Sequence, residues 1–248
     1  QRRLGRGSDD DRGAIRDLEA ATAALLAGLE PYGARVLSCY RTEAGEMSEP
    51  LEFLSSIYNG EMRPVVLPAA DTDLGHHLPY KRVSFGLDAL EVTGAGTRSF
   101  AAMLSIKEYP AETRSGLIDN ILRLPCELVL TETFAPADRQ IARERIDLAL
   151  RRQKASDEDS GTERREMLAA RDALGPGQAG FGDHHFSLMV RAGDLADLGT
   201  AMASASAGIA DIGAIAVRED VNLEPLFWGQ FPGNEAYIVR RALISSAN

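Results

Sequence analysis

The sequence predicts an α/β chain of the α+β kind, with antiparallel or mixed sheets and helices packed on one face of them. Two kinds of periodicity predict it: apolar residues recur every three or four positions in some segments and every second position in others. The order strand, helix, strand also occurs twice, around Leu117 and around Met202. Such a repeat is typical of ferredoxin-like split βαβ halves.

Composition limits the classes of protein to consider. The chain has 248 residues, of which 44% are hydrophobic and 26% are charged, enough to bury one large core or two smaller ones. Its formal net charge of -10 disfavours direct binding of nucleic acid. No run approaches the roughly 18 apolar residues that span a bilayer, so we expect membrane contact only through partners. Because the first residue is Gln1, we expect a piece of a longer protein.

The first part of the chain predicts a leader, two helices and a short strand. Residues 1–13 are charged and glycine-rich and predict a flexible leader. Apolar residues at helical spacing predict a helix over 14–30, which Pro31 and Gly33 end. A short strand is predicted over 35–41. A helix follows over 48–59, with Ser48 as its cap and Asn59 and Gly60 at its end. Residues 63–78 are predicted to form an irregular loop.

The rest of the chain alternates between strands and helices. Strands are predicted over 83–87, 89–93, 99–109, 126–134, 184–192 and 214–217, with a tight turn at 94–97. Helices are predicted over 112–123 and over 195–212, where Asp194 is the cap. Residues 136–174 predict two long helices joined by an acidic turn at 155–161. The nearly balanced charge of this inserted hairpin favours a solvated element over an arm that binds nucleic acid.

The histidines invite a metal hypothesis, because imidazole and carboxylate are good ligands for zinc or iron. Adjacent residues on a strand point to opposite faces, so only one histidine of a pair can enter a given pocket. We therefore favour hydrogen-bonding or packing roles. A metal-dependent hydrolase that acts alone stays open as the alternative, and its ligands would come from His76, His77, Asp183, His184 and His185.

Motifs for nucleotide or hydrolytic chemistry are missing from the sequence. There is no Gly-Lys pair, which a phosphate-binding loop needs, and no Gly-x-Ser-x-Gly turn. Gly94-Ala95-Gly96 lacks the third glycine and the helix of a dinucleotide fold, so we interpret it as a turn between strands. No residue is therefore assigned to catalysis, to a cofactor or to a metal.

Residues 222–234 form the most unusual segment, because they combine the only tryptophan with two phenylalanines and helix-breaking residues. The favoured interpretation is a short helix whose aromatic side chains fill the domain's own core, followed by a turn. The alternative is a contact with another protein. The candidate interface residues of this segment and of the histidine pair are His184, His185, Phe227, Trp228, Gln230, Phe231, Pro232 and Asn234.

Four blocks give the chain a resemblance to a known family. They are FLSSIYNG at 53–60, FGDHHFSLMV at 181–190, WGQFPGN at 228–234, and the closing stretch 240–248 that ends in ISSAN. In content and order they resemble the front, non-catalytic region of type IV secretion ATPases of the CagE/TrbE type. The likeness covers most of the chain from about residue 14 onward.

The resemblance implies that 14–248 is the amino-terminal α/β domain of such an ATPase, with the hairpin at 136–174 inserted. A RecA-like motor domain would follow outside this chain, and ATP and Mg would bind to the full-length protein. The implied role is docking and assembly at the secretion channel, with inner-membrane channel subunits as partners and a homo-oligomer formed through the full-length protein. The implied location is cytoplasmic, peripheral at the bacterial inner membrane.

Overall fold

The computed structural model describes residues 7–110, 116–156, 168–169, 171–172 and 180–245. The chain divides into two compact units. The first comprises 1–53 with 63–72, and the second comprises 54–62 with 73–248.

The first unit begins with helix α1 (Gly7–Gly28), so the second half of the predicted leader is helical and that part of the prediction is wrong. A 3-10 turn (Glu30–Tyr32) follows, and Gly33 in the left-handed conformation, with φ of 66°, ends it. The predicted helix end at Pro31 and Gly33 is confirmed.

A two-stranded antiparallel hairpin follows, made of β1 (Cys39–Thr42) and β2 (Gly45–Ser48), and leads into helix α2 (Glu49–Asn59). The predicted strand at 35–41 therefore lies further along the chain. Arg35 donates two hydrogen bonds of 2.8 Å to the Glu49 carboxylate, and the Ser38 amide donates a third. These donors lower the pKa of Glu49 to about 2 and hold the start of α2.

The second unit takes the last part of α2 and the remaining elements of the chain. Its helices are α3 (Leu74–His77), α4 (Asp119–Leu122), α5 (Arg139–Ser156), α6 (Leu195–Asp211) and α7 (Leu223–Gly229). Its strands are β3 (Arg82–Phe85), β4 (Leu90–Gly94), β5 (Thr97–Glu108), β6 (Glu127–Pro136), β7 (Phe181–Ala192), β8 (Ile215–Arg218) and β9 (Ala242–Ser245).

Most predicted elements of this unit are confirmed, with three differences. The loop predicted over 63–78 contains the single turn α3, where the Asp73 carboxylate accepts a 2.8 Å hydrogen bond from the Gly75 amide. Of the helix predicted over 112–123, residues 116–118 instead form a turn in which Gly116 has a φ of 79°, and α4 begins only at Asp119; residues 111–115 lie outside the described part. The first helix of the predicted hairpin is α5, whereas most of the acidic turn and of the second helix lies outside the described residues.

All strands of the main sheet pair antiparallel, in the order β3-β4-β5-β7-β6. β8 pairs with the second half of β5, and β9 pairs with the first residues of β7. The four strands β8-β5-β7-β6 therefore have the order of a ferredoxin-like sheet, with α4 in one split βαβ half and α6 in the other. The predicted α+β class and the split βαβ topology are confirmed.

The prediction that helices lie on one face of the sheet is wrong. On one face α4 and α6 cover a core built from Ile121, Leu198, Met202 and Ile209 with the strand residues Leu104 and Leu188. On the other face α7 and the end of α2 cover Ala101, Met103 and Met189. The central strands read as continuous apolar runs because both of their faces are buried.

Candidate functional site

The aromatic cluster consists of Tyr58, Phe85, Phe227, Trp228 and Phe231, and it lies on the sheet face that α7 covers. The Phe227 ring is fully buried, and its centroid lies 5.2 to 5.9 Å from the centroids of the other four rings. These contacts run edge to face, the arrangement that aromatic quadrupoles prefer. The favoured interpretation, that these side chains fill the domain's own core, is confirmed for Phe227.

The polar residues of the same segment hold the turn that follows α7. The Gln230 side chain donates to the Phe227 carbonyl at 3.1 Å, and the Asn234 side chain donates to the Trp228 carbonyl at 3.0 Å. Pro232 is exposed, and the next residue, Gly233, has a φ of 87° that favours glycine. The predicted turn at Pro232, Gly233 and Asn234 is confirmed, and its polar side chains bond to the chain itself.

The paired histidines of β7 point to opposite faces of the sheet. His184 Nδ1 lies 3.0 Å from the Tyr109 hydroxyl, whereas His185 Nδ1 donates to the Arg240 carbonyl at 2.6 Å. Burial lowers the pKa of both imidazoles, and desolvation raises the pKa of Tyr109 to about 12. These contacts are the hydrogen-bonding roles predicted for the pair.

The other two histidines lie in α3, where His76 Nδ1 is 3.0 Å from the Asp73 carboxylate. Within the described residues, no group of three or more His, Cys, Asp or Glu side chains could hold a metal ion. The structure therefore does not bring the ligands of the alternative hydrolase hypothesis together in the described part of the chain.

Glu219 anchors the carboxy-terminal segment, and sequence reasoning missed it. Its carboxylate is fully buried and accepts hydrogen bonds from the Ser105 hydroxyl, the Arg240 guanidinium and the side-chain nitrogen of Asn222. The carboxylate raises the pKa of Arg240. We call Ser105, His185, Glu219 and Arg240 the C-terminal anchor, because they tie the residues before β9 to the sheet.

A second missed residue is Arg191, a buried arginine near the end of β7. Its guanidinium donates to the carbonyls of Ser56 and Ile57 near the end of α2, and the Ser56 carbonyl also accepts a hydrogen bond of 2.9 Å from the Gly60 amide. A Cβ atom at Gly60 would lie 2.7 Å from this guanidinium, so the position after α2 needs glycine. Burial lowers the pKa of Arg191, and Glu127 opposes that shift.

Asn59 lies in the first block of the family resemblance, and its side chain makes buried hydrogen bonds. Its fully buried side-chain oxygen accepts hydrogen bonds from the Tyr80 and Lys81 amides, each at 3.0 Å. Its side-chain nitrogen donates to the Ser55 carbonyl at 2.9 Å and to the Leu78 carbonyl at 3.0 Å. The block therefore joins the end of α2 to the chain that enters β3.

The glycine pair at 94 and 96 does not have the geometry of a phosphate-binding loop. Gly94 ends β4 and Thr97 begins β5, so the glycine pair at 94 and 96 forms a hairpin turn rather than a loop at a helix N-terminus. A phosphate site of the usual kind needs such a helix end and a lysine that follows glycine.

Among the described helices, none combines the length and hydropathy that a membrane span requires.

Comparison with known proteins gives a consistent match. The family described as "CagE, TrbE, VirB family, component of type IV transporter system" matches residues 35–240. The "Type IV secretion system protein virB4" of Bartonella henselae is 34% identical over 97% of this chain and 30% of the relative. "Protein virB4" of Rhizobium radiobacter is 32% identical over 98% of this chain and 31% of the relative.

A more distant relative is "Type IV secretion system protein PtlC" of Bordetella pertussis, which is 30% identical over 86% of this chain and 26% of the relative. The chain therefore spans about 30% of the length of the curated relatives it matches. The matched residues include both the C-terminal anchor and Arg191.

Proposed function

The chain belongs to the CagE, TrbE, VirB family of type IV transporter components, and we propose that it is the amino-terminal docking and assembly domain of a secretion ATPase. The single observation that carries the proposal is coverage. A relative named as a type IV secretion system protein matches 97% of this chain with only 30% of its own length. That leaves the larger part of the relative for other activities.

ATP and Mg belong to the full-length protein in this proposal. The phosphate-binding Gly-Lys pair is missing from the sequence, and Gly94-Ala95-Gly96 forms a strand turn. No step of nucleotide hydrolysis is assigned to a residue of this chain. A RecA-like motor following this region would supply that chemistry, and the C-terminal anchor would hold the connecting segment against the sheet.

The proposed partners are inner-membrane subunits of a type IV secretion channel, with the full-length protein assembling into a homo-oligomer. The proposed location is the cytoplasmic side of the bacterial inner membrane, which the chain would reach through its partners. Its net charge of -10 supports partners of opposite charge over nucleic acid. Conjugation and substrate transfer would then depend on the assembled system.

A capture experiment tests this function. The purified chain is immobilised and incubated with detergent-solubilised inner-membrane subunits of the same secretion system, with bare resin as the control. Circular dichroism of the same preparation reports whether the chain is folded. We expect specific retention of at least one channel subunit and no ATP hydrolysis by the chain above background. A folded chain that captures none of these subunits, or that hydrolyses ATP through one of its own side chains, would overturn the proposal.

A further inference from the structure

Strand β6 (Glu127–Pro136) is the last strand of the main sheet, and it is ten residues long. It pairs with β7 along its whole length, and no described residue pairs with its outer edge. An unpaired edge of this length is a template for the addition of another strand, because it presents a row of free amides and carbonyls.

The register shows which backbone groups of β6 face outward. The Ala137 amide, directly after the strand, donates to the Phe181 carbonyl at 2.8 Å, and residues 127–136 continue the same antiparallel ladder. In such a ladder, residues that bond to the partner strand alternate with residues whose amide and carbonyl point away. The outward amides are therefore those of Leu128, Leu130, Glu132 and Phe134.

The usual protection of an edge strand is weak here. Edge strands are commonly protected by short length, by lysine, or by an internal proline or bulge. β6 contains no lysine or arginine, its only proline is its last residue, and its pairing with β7 is without a bulge. β3, the strand at the other end of the same sheet, is four residues long and begins with Arg82 next to Lys81.

A pocket lies beside the second half of β6. It has a volume of about 270 Å³ and is lined by Thr133, Phe134, Ala135, Asp183, Glu235, Ile238 and Arg241. Most of its surface is apolar, and Asp183, Glu235 and Arg241 are the charged residues among those that line it. Since three of the lining residues belong to β6 itself, a strand added at this edge has a site for one apolar side chain within reach.

The charges of the strand select its partner. β6 has two acidic residues, Glu127 and Glu132, and no basic residue, in a chain of net charge -10. Glu127 Oε1 lies 3.5 Å from Arg191 Nη1, whereas Glu132 is exposed and its carboxylate raises the pKa of His184 against the lowering effect of burial. A partner strand with basic side chains would therefore complement this edge.

We propose that β6 is a docking edge for an extended segment of alternating basic and apolar residues, which adds to the sheet as an antiparallel strand and places one apolar side chain in the adjacent pocket. The inference rests on the proposed function for the source of the segment. Cytoplasmic parts of membrane proteins next to their spans are enriched in lysine and arginine, which matches this edge. Main-chain hydrogen bonds would supply affinity, and the alternating side chains would supply specificity.

The probe is a fluorescein-labelled ten-residue peptide of alternating lysine and valine, and the readout is fluorescence anisotropy with the whole chain. We expect Glu132→Lys to weaken binding by about tenfold, because the reversal places like charges opposite each other. A peptide of alternating glutamate and valine should instead bind Glu132→Lys better than it binds the original chain. Glu19→Lys on α1 makes the same change in net charge elsewhere and should leave both affinities unchanged.

A second peptide separates strand addition from charge attraction. N-methylation of alternate amides removes the donors needed for pairing but keeps every charge, so we expect binding to be lost. Equal binding of the methylated peptide would overturn the proposal. A chain that binds neither peptide but forms a dimer, which Glu132→Lys dissociates in light scattering, would assign the edge to a second copy and also overturn it.

The capture experiment distinguishes this inference from the proposed function. Capture of channel subunits that persists in Glu132→Lys, together with no peptide binding, would overturn the docking edge and leave the proposed function standing. If the basic peptide binds Glu132→Lys more weakly and the acidic peptide binds it more tightly, the result supports β6 as a docking edge. Absence of capture in the same preparation would then count only against the proposed function.

Discussion

The two faces of the main sheet are held in different ways. The face under α4 and α6 is an aliphatic core, where Leu198, Met202 and Ile209 step along α6 at helical spacing and pack on alternate residues of β5 and β7. The face under α7 combines the aromatic cluster with buried polar groups, among them Asn59, Arg191 and Glu219. Non-directional packing tolerates exchange of similar side chains, whereas buried hydrogen bonds require particular partners.

The largest expected effect is that of Arg191→Met on the free energy of unfolding. Methionine keeps most of the aliphatic length of the arginine side chain but has no guanidinium. The Ser56 and Ile57 carbonyls therefore lose the hydrogen bonds from Arg191, and the Ser56 carbonyl keeps the one from the Gly60 amide. We expect a loss of about 3 kcal/mol, since two hydrogen bonds from a charged group are lost and the Ile57 carbonyl loses the buried Arg191 donor. Urea unfolding followed by circular dichroism measures it.

Leu198→Met on the aliphatic face is the matched control. Leu198 is 1% exposed, and a swap that conserves volume should cost less than about 1.5 kcal/mol. If the two substitutions cost the same, the distinction between the two faces would be wrong.

A smaller loss, of about 2 kcal/mol, is expected for Glu219→Gln. The change keeps the shape of the side chain but removes the negative charge that faces Arg240, and Arg240 is itself 34% exposed, which limits the penalty. We also expect faster proteolysis of the segment before β9, because the C-terminal anchor loses its central acceptor. Limited trypsin digestion at Arg240 and Arg241 reports this, and unchanged cleavage would show that the anchor does not hold the segment.

The smallest effect is a pH dependence from the histidine pair. Burial lowers the folded-state pKa of His184 and His185 below the usual 6.5, so the unfolded chain binds protons that the folded chain does not. The free energy of unfolding should therefore have its full value above pH 6.5 and should decrease as the pH drops toward 5. Thermal unfolding across this range measures the fall, and His185→Gln should make it shallower. A rise in stability on acidification would contradict the assigned direction.

Sequence patterns anticipated the elements whose cause is local. The α6 helix follows from its three and four residue spacing and from Asp194, whose carboxylate accepts a 2.8 Å hydrogen bond from the Asp197 amide. The hairpin of β4 and β5 follows from the turn at Gly94 to Thr97. The leader prediction was wrong from Gly7 onward, since residues 7–13 have no apolar periodicity from which their helix could be predicted.

The sequence by itself therefore determined the fold class, the order of the split βαβ halves, and the assignment of residues 222–234 to a short buried helix and a turn. Only the tertiary structure decided that helices cover both faces of the sheet, that Arg191 caps α2, and that Glu219 holds Arg240. Arg191 lies 135 residues from Ser56 in the chain, and Glu219 lies 21 residues from Arg240 and 114 from Ser105, its other partner. A periodicity reports which face of an element is buried, but it does not report which distant group is buried against it.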